Sequence, residues 1–234
     1  MHDVVDRAAW TAARLEHLAE EKELTRQRDE LSRRRRELPW TEVTEAYRFT
    51  GPGGEQRDLG ELFEGRSQLI VQHFMFGPGW GEGCPSCSFW ADGLDGTQVH
   101  LAHRDTTLVL VSRAPIEELE AYRERMGWSL PWWSSHGTTF NEDFGVSFPA
   151  EAVEDGTAAY NYGTQTFGGE EAPGISTFRR TDDGRIFLTY QTFSRGLDML
   201  NATYHYLDLT SLGRDEDELP WSMAWLRRHD AYDD

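Results

Sequence analysis

Ser67-Gln68-Leu69-Ile70-Val71-Gln72-His73-Phe74-Met75-Phe76, followed by Gly77-Pro78-Gly79-Trp80-Gly81-Glu82-Gly83 and then Cys84-Pro85-Ser86-Cys87-Ser88-Phe89-Trp90, is the stretch that decides how this chain folds. An apolar run suited to a buried strand passes through a glycine-rich loop into a C-x-x-C motif, and the chain has no other cysteine. A reducing cytosol keeps thiols free, so an isolated pair in a chain without an export signal points to redox chemistry or metal binding rather than to a structural staple. Pro85 suits the first turn of a helix, where its missing N–H costs nothing. That places Cys84 at a helix N-terminus, whose unpaired N–H groups and positive dipole end favour a thiolate. Cys87 falls three residues on, on the same face and within reach of a disulfide. The implied chemistry has two steps: Cys84 attacks a substrate disulfide, and Cys87 then attacks Cys84 to release the reduced product.

The rest of the composition narrows the field. With 234 residues, 38% of them hydrophobic, the chain can bury one good core plus an appendage. Forty-one acidic residues against 23 basic ones leave a net charge of −18, which repels phosphate backbones and anionic lipid surfaces. Nucleic acid and membrane are therefore not expected partners. Met1 to Trp10 contains Asp3 and Asp6 and no apolar h-region, and no run of 18 apolar residues occurs, so the expected location is cytoplasmic.

Residues 8–37 lack Gly and Pro and are dense in strong helix formers, which predicts one long helix. The expected division is an N-terminal helical arm over residues 1–38 and a compact domain over residues 39–234. Leu15, Leu18, Leu24, Leu31 and Leu38 form a thin apolar stripe on the arm, which rests either on its own domain or on a second subunit, a route to a homodimer. Pro39 stops the helix. Gly51-Pro52-Gly53-Gly54 predicts a hairpin or loop before the first core strand at residues 68–76. Residues 88–103 carry helical spacing weakened by Gly93 and Gly96. Residues 107–111 read as a buried strand, followed by a helix from Ile116 to Met126 behind Pro115. Strand, crossover helix, strand, helix predicts a parallel α/β unit. Residues 174–180 and 186–191 flank Thr181-Asp182-Asp183-Gly184-Arg185, a hairpin signal. A last helix is expected over Pro220 to Arg228.

Strand, loop, Cys at a helix start and Pro173 before a later hairpin, in that order, resembles the thioredoxin-like superfamily. The resemblance implies an α/β fold with a central mixed sheet flanked by helices. It also implies a cis-proline at Pro173, packed beside the cysteines and exposing backbone groups that align a substrate chain. More closely, the chain resembles the bacterial DUF899 family. The blocks that carry this are Glu20-Glu21-Lys22-Glu23-Leu24-Thr25-Arg26, Leu38-Pro39-Trp40, Phe74-Met75-Phe76-Gly77, residues 83–92, Val111-Ser112-Arg113-Ala114-Pro115, residues 140–146 and Arg195-Gly196-Leu197-Asp198. The family supplies a fold and a presumed dithiol chemistry but no substrate. Thioredoxins place Trp before the first cysteine, where this chain has Gly83, and a buried acid on the preceding strand, where it has Gln72 and His73. His73 is the candidate proton shuttle near neutral pH.

The expected function is thus thiol–disulfide oxidoreductase, acting on a protein or small-molecule disulfide with an external recycling reductant and no cofactor. A peroxiredoxin-like peroxide reductase is the alternative. Its signature needs Pro seven residues and Thr or Ser three residues before the reactive Cys, and Gly77 and Gly81 stand there. Zinc would need four ligands, and neither a second C-x-x-C nor H-x-x-x-H is present, while His100 and His103 lie far along the predicted helix. A non-catalytic adaptor would use aromatic surface such as Trp132-Trp133, residues that suit a core better. The glycine loop lacks a dinucleotide or P-loop fingerprint, and no G-x-S-x-G elbow exists.

Overall fold

A computed structural model describes residues 3–232. The chain divides into two compact units, Met1–Trp40 and Thr41–Asp234. The first is built on α1 (Arg7–Arg35), whose start is capped by the Asp6 carboxylate accepting the Ala9 N–H at 2.8 Å. Arg33, Arg34 and Arg35 occupy the last turn, where cations complement the helix dipole. Arg33 pairs with Glu30 at 2.8 Å and also with Glu37. No side chain of α1 is buried. These pairs are fully exposed and screened by solvent, so helix propensity carries most of this element.

In the second unit, β1 (Thr41–Glu42) precedes a hairpin of β2 (Arg48–Thr50) and β3 (Gln56–Asp58). Then come β4 (Gln68–His73), α2 (Pro85–Leu94), α3 (Gln98–Ala102) and β5 (Thr106–Ser112). The single helix expected over residues 88–103 is two helices, because Gly96 turns with φ +89° between them. The chain continues through α4 (Ile116–Met126), β6 (Trp132–Ser134), α5 (Phe140–Asp143) and α6 (Ala150–Glu154). The small ladder of β7 (Ala159–Tyr160) and β8 (Gln165–Thr166) is followed by β9 (Gly174–Arg180) and β10 (Ile186–Phe193), and then by α7 (Ala202–Leu207).

Eight strands form one sheet in the order β1-β10-β9-β4-β5-β6-β2-β3. β4, β5 and β6 run parallel, while β9 pairs antiparallel with both β4 and β10. A parallel crossover that begins at the cysteines, with a returning hairpin added beside its first strand, is the thioredoxin-like arrangement. The fold is therefore a thioredoxin-like mixed α/β sheet, extended by the β2–β3 hairpin on one side and β1 on the other.

The sheet is covered on both faces, which is why β4 and β5 read as near-continuous apolar runs. Leu69, Val71, Val109 and Val111 pack with Phe49, Phe140 and Phe178 on one face. Phe74, Leu108, Leu110 and Trp132 pack with Leu119 and Tyr122 of α4 on the other, and Cys87 belongs to this second cluster. Trp132 and Trp133 are both buried, one on each face, so they are core rather than adaptor surface. The helix expected over 220–228 does not form. The Met223 N–H donates to the Glu216 carboxylate at 3.0 Å and the Trp225 indole to the same oxygen at 2.7 Å. Met223 itself is left-handed, with φ +69°, a conformation that a right-handed helix excludes.

Candidate functional site

β4 delivers the chain to the loop at 77–83, and α2 begins directly after Cys84, which occupies the N-cap with ψ 131°. The Cys84 N–H donates to the Met75 carbonyl at 3.1 Å, and its own carbonyl accepts from the Ser88 amide at 3.0 Å and the Ser88 hydroxyl at 2.9 Å. This backbone is fixed on both sides. The departure from thioredoxin at Gly83 has a steric cause. A Cβ there would lie 2.6 Å from the Phe74 ring and 2.8 Å from that of Tyr122, so no larger residue fits against this core.

The two free thiols are unequal. Cys84 is partly exposed and Cys87 is buried. Chiefly because the Cys87 thiol hydrogen-bonds it, and also because the Ser86 and Cys87 amides and the Ser86 hydroxyl point at it, the Cys84 pKa is lowered to about 6, against the opposing effect of burial. Cys87 is pushed well up, first by holding its proton toward Cys84, then by burial and by the Cys84 charge. The Met75 N–H, 3.3 Å from the Cys87 sulfur, works in the other direction. These opposed shifts favour a thiolate on Cys84 and a proton on Cys87.

Both cysteines border a cavity of about 1080 Å³ whose wall also includes Gln72, Trp90, Tyr160 and Pro173. Among the described residues, no group of three or more His, Cys, Asp or Glu side chains could hold a metal ion, and no helix is long and apolar enough to cross a membrane.

The sequence matches the model of DUF899, described as "Bacterial protein of unknown function", over residues 1–232. This chain belongs to the DUF899 family. No curated protein matches it. Among solved structures, it is similar to Peroxidoxin BcpB from Mycobacterium tuberculosis at 16% identity, covering 70% of this chain and 94% of that one with a TM-score of 0.46. Peroxiredoxin Q of Xanthomonas campestris matches at 13% identity over 69% and 93% with a TM-score of 0.47. A putative protein disulfide isomerase from Bacteroides thetaiotaomicron matches at 16% over 72% and 89% with a TM-score of 0.41. The fold assignment itself rests on the strand order and directions given above.

In this DUF899 protein His73 is among the residues that border the cavity with the cysteines, but its ring packs on the opposite side of β4. Side chains alternate along a strand, so His73 falls with Leu69 and Val71 on the sheet face away from the cysteine cluster. Its ring lies 5.6 Å from Phe140 and 6.1 Å from Phe144, and its Nε2 is 2.7 Å from the Ser176 hydroxyl. Burial drives its pKa down to about 3, so the imidazole is neutral near neutrality and carries a single N–H. Gln72 is the residue that turns toward the dithiol side. It is 5% exposed, and its Oε1 has no hydrogen-bond partner.

Pro173 does share the cavity with the cysteines, but not as a cis residue: no peptide bond among the described residues is cis. The neighbouring backbone groups are also engaged within the chain. The Ala172 N–H donates to the Val146 carbonyl at 2.8 Å, and the Pro173 carbonyl accepts from the Tyr160 hydroxyl at 2.5 Å. Tyr160 in turn accepts the Ser194 N–H at 2.8 Å. It joins the two sides of the cavity wall, and a two-residue strand offered no sequence signal for it.

Arg228 is a second residue the sequence concealed. Its guanidinium donates to the Gly83 carbonyl at 2.7 and 3.2 Å and to the Tyr122 hydroxyl at 2.9 Å, and it pairs with Glu82 at 2.9 Å. The Tyr122 hydroxyl is 2.9 Å from that of Ser88, so the far end of the chain is tied to the turn that presents Cys84. Trp90 on α2 similarly donates to the Leu197 carbonyl at 2.9 Å, which holds the segment after β10 over the cavity.

Proposed function

We propose that the protein is a dithiol–disulfide oxidoreductase in which Cys84 is the attacking sulfur and Cys87 the resolving one. The observation that carries this reading is the inequality of the two thiols at one cavity: a partly exposed Cys84 stabilised as thiolate by a buried Cys87 that keeps its proton. The Cys84 thiolate displaces one half of a disulfide R–S–S–R, forming a Cys84–S–S–R bond and releasing RS⁻. With Cys84 in that bond, two of the causes that raise the Cys87 pKa, the hydrogen bond to the Cys84 thiolate and its charge, are gone. The Met75 N–H remains to support a Cys87 thiolate. Cys87 then attacks Cys84, the proton it held passes to a released thiolate, and the second RS⁻ leaves. The substrate disulfide gains two electrons, which the protein dithiol loses as it becomes a disulfide.

This chemistry is expected in a single turnover. Reduced protein mixed with excess 2-hydroxyethyl disulfide should consume one equivalent per chain and lose two hydrogens by intact mass, with the new bond mapped to Cys84 and Cys87. Retention of both thiols, or stable adducts on both, would contradict it.

A further inference from the structure

We infer that the substrate is a small disulfide carrying positive charge, such as the disulfide of an aminothiol, rather than an extended polypeptide. This rests on the dithiol reading above and goes beyond it. The first ground is what surrounds Pro173. To align a substrate strand, the backbone beside that residue must offer free hydrogen-bonding groups. Here the Ala172 N–H is bonded to Val146 and the Pro173 carbonyl to Tyr160. A polypeptide pairing with the Ala172 N–H or the Pro173 carbonyl would have to displace bonds that the fold already makes.

The second ground is the cavity. Its 1080 Å³ lies just above the span of about 300–1,000 Å³ typical of small-molecule pockets, ample for a small disulfide. The segment after β10 forms part of its wall, held by the Trp90–Leu197 bond and by packing of Trp90, Ile175, Leu197 and Tyr204. The dithiol therefore opens into a chamber as well as onto a surface.

The third ground is polarity. The carboxylates around the cavity are Asp198, Asp208, Asp215, Glu216 and Asp217, against the guanidinium groups of Arg195 and Arg214. Both arginines are already paired, Arg195 with Asp198 at 2.9 Å and Arg214 with Asp198 at 3.1 Å and Asp208 at 2.8 Å. The surplus is negative, in a chain whose net charge is −18, and it attracts cations and repels anionic disulfides. Independently of that surplus, Gln72 lines the cavity and its Oε1 is buried with no hydrogen-bond partner. A buried acceptor of this kind favours a ligand that brings an N–H. An ammonium-bearing disulfide satisfies both features. The redox balance is that of the proposed function: two electrons pass from the Cys84–Cys87 dithiol to the small disulfide, and two small thiols leave.

The test compares single-turnover oxidation of the reduced full chain by cystamine, by neutral 2-hydroxyethyl disulfide and by insulin. Each rate is divided by that of the same disulfide with a free small thiol, which removes differences in leaving-group reactivity. Cystamine is expected to exceed 2-hydroxyethyl disulfide by about tenfold at low ionic strength, with the advantage shrinking as salt screens the carboxylates. Insulin is expected to be slowest. Gln72→Leu, checked by an unchanged melting temperature, is expected to lower the cystamine rate about tenfold; an undiminished rate would overturn the Gln72 contact. Insulin reacting as fast as cystamine, or no preference for cystamine over the neutral compound, would overturn the substrate class while leaving dithiol exchange intact. Formation of no protein disulfide with any of the three would remove the dithiol reading itself.

Discussion

Cys84→Ser is expected to bring disulfide reduction down to background, a loss on the order of 10³-fold or more, while Cys87→Ser should accumulate a mixed disulfide on Cys84. The two effects differ in kind because the two sulfurs sit in different surroundings. A serine hydroxyl at the α2 N-cap stays protonated and does not attack sulfur, so nothing initiates exchange. Serine at position 87 leaves the Cys84 sulfur at the cavity with the amides of residues 86 and 87 and the Ser86 hydroxyl still directed at it. The first step therefore survives and the second is lost. Cys87→Ala, which keeps no donor at that position, should raise the Cys84 pKa in part, since the Cys87 thiol is the largest of the groups that lower it. Mass spectrometry of each variant after exposure to a small disulfide reads the outcome directly. Equal trapping on either remaining cysteine would mean that the roles are not divided.

Arg113→Ala should cost about 3 kcal/mol of stability near neutral pH, or a fall of about 6–12 °C in Tm for a chain of this size. Arg113 follows β5 and places its Nε 2.5 Å from the carboxylate of Glu171, a side chain only 2% exposed. The other Glu171 oxygen accepts from the Ser147 hydroxyl at 2.7 Å. Even with these partners, burial outweighs them and the Glu171 pKa stands above the usual carboxylate value. Without Arg113 it rises further. A folded-state pKa above the unfolded one means that the protonated form is favoured by folding. The deficit of the variant should then be smallest below the unfolded carboxylate pKa of about 4.3 and grow as pH rises through the folded value. Denaturant melts at several pH values check the sign. Adding Glu171→Gln should restore much of the loss, because it removes the stranded charge. Glu171 lies two residues before Pro173, so the same variant should also loosen that side of the cavity.

The parts of the fold visible in the sequence are those set by short-range chemistry. The Cys84-Pro85 step announces a helix start, Asp183-Gly184 announces the β9–β10 turn, and the apolar run at residues 107–111 announces a buried strand. The site was only half visible. Gln72 and His73 are adjacent on β4, and deciding which faces the sulfurs requires a period of two that a strand buried on both faces does not display. The internal use of the backbone beside Pro173 depends on Val146 and Tyr160, which are remote in sequence. Arg228 sat in what read as a helix end, yet it reaches Gly83 across 145 positions. Long-range hydrogen bonds of this kind leave no local pattern.

The most direct measurement of the central claim is the pH dependence of alkylation of the two thiols in the reduced protein, followed residue by residue with mass spectrometry. Cys84 should be modified first, with a midpoint well below the ordinary thiol value of about 8.5, and Cys87 should stay unmodified until far higher pH. Alkylation of Cys87 ahead of Cys84, or of both together at the ordinary value, would contradict the account.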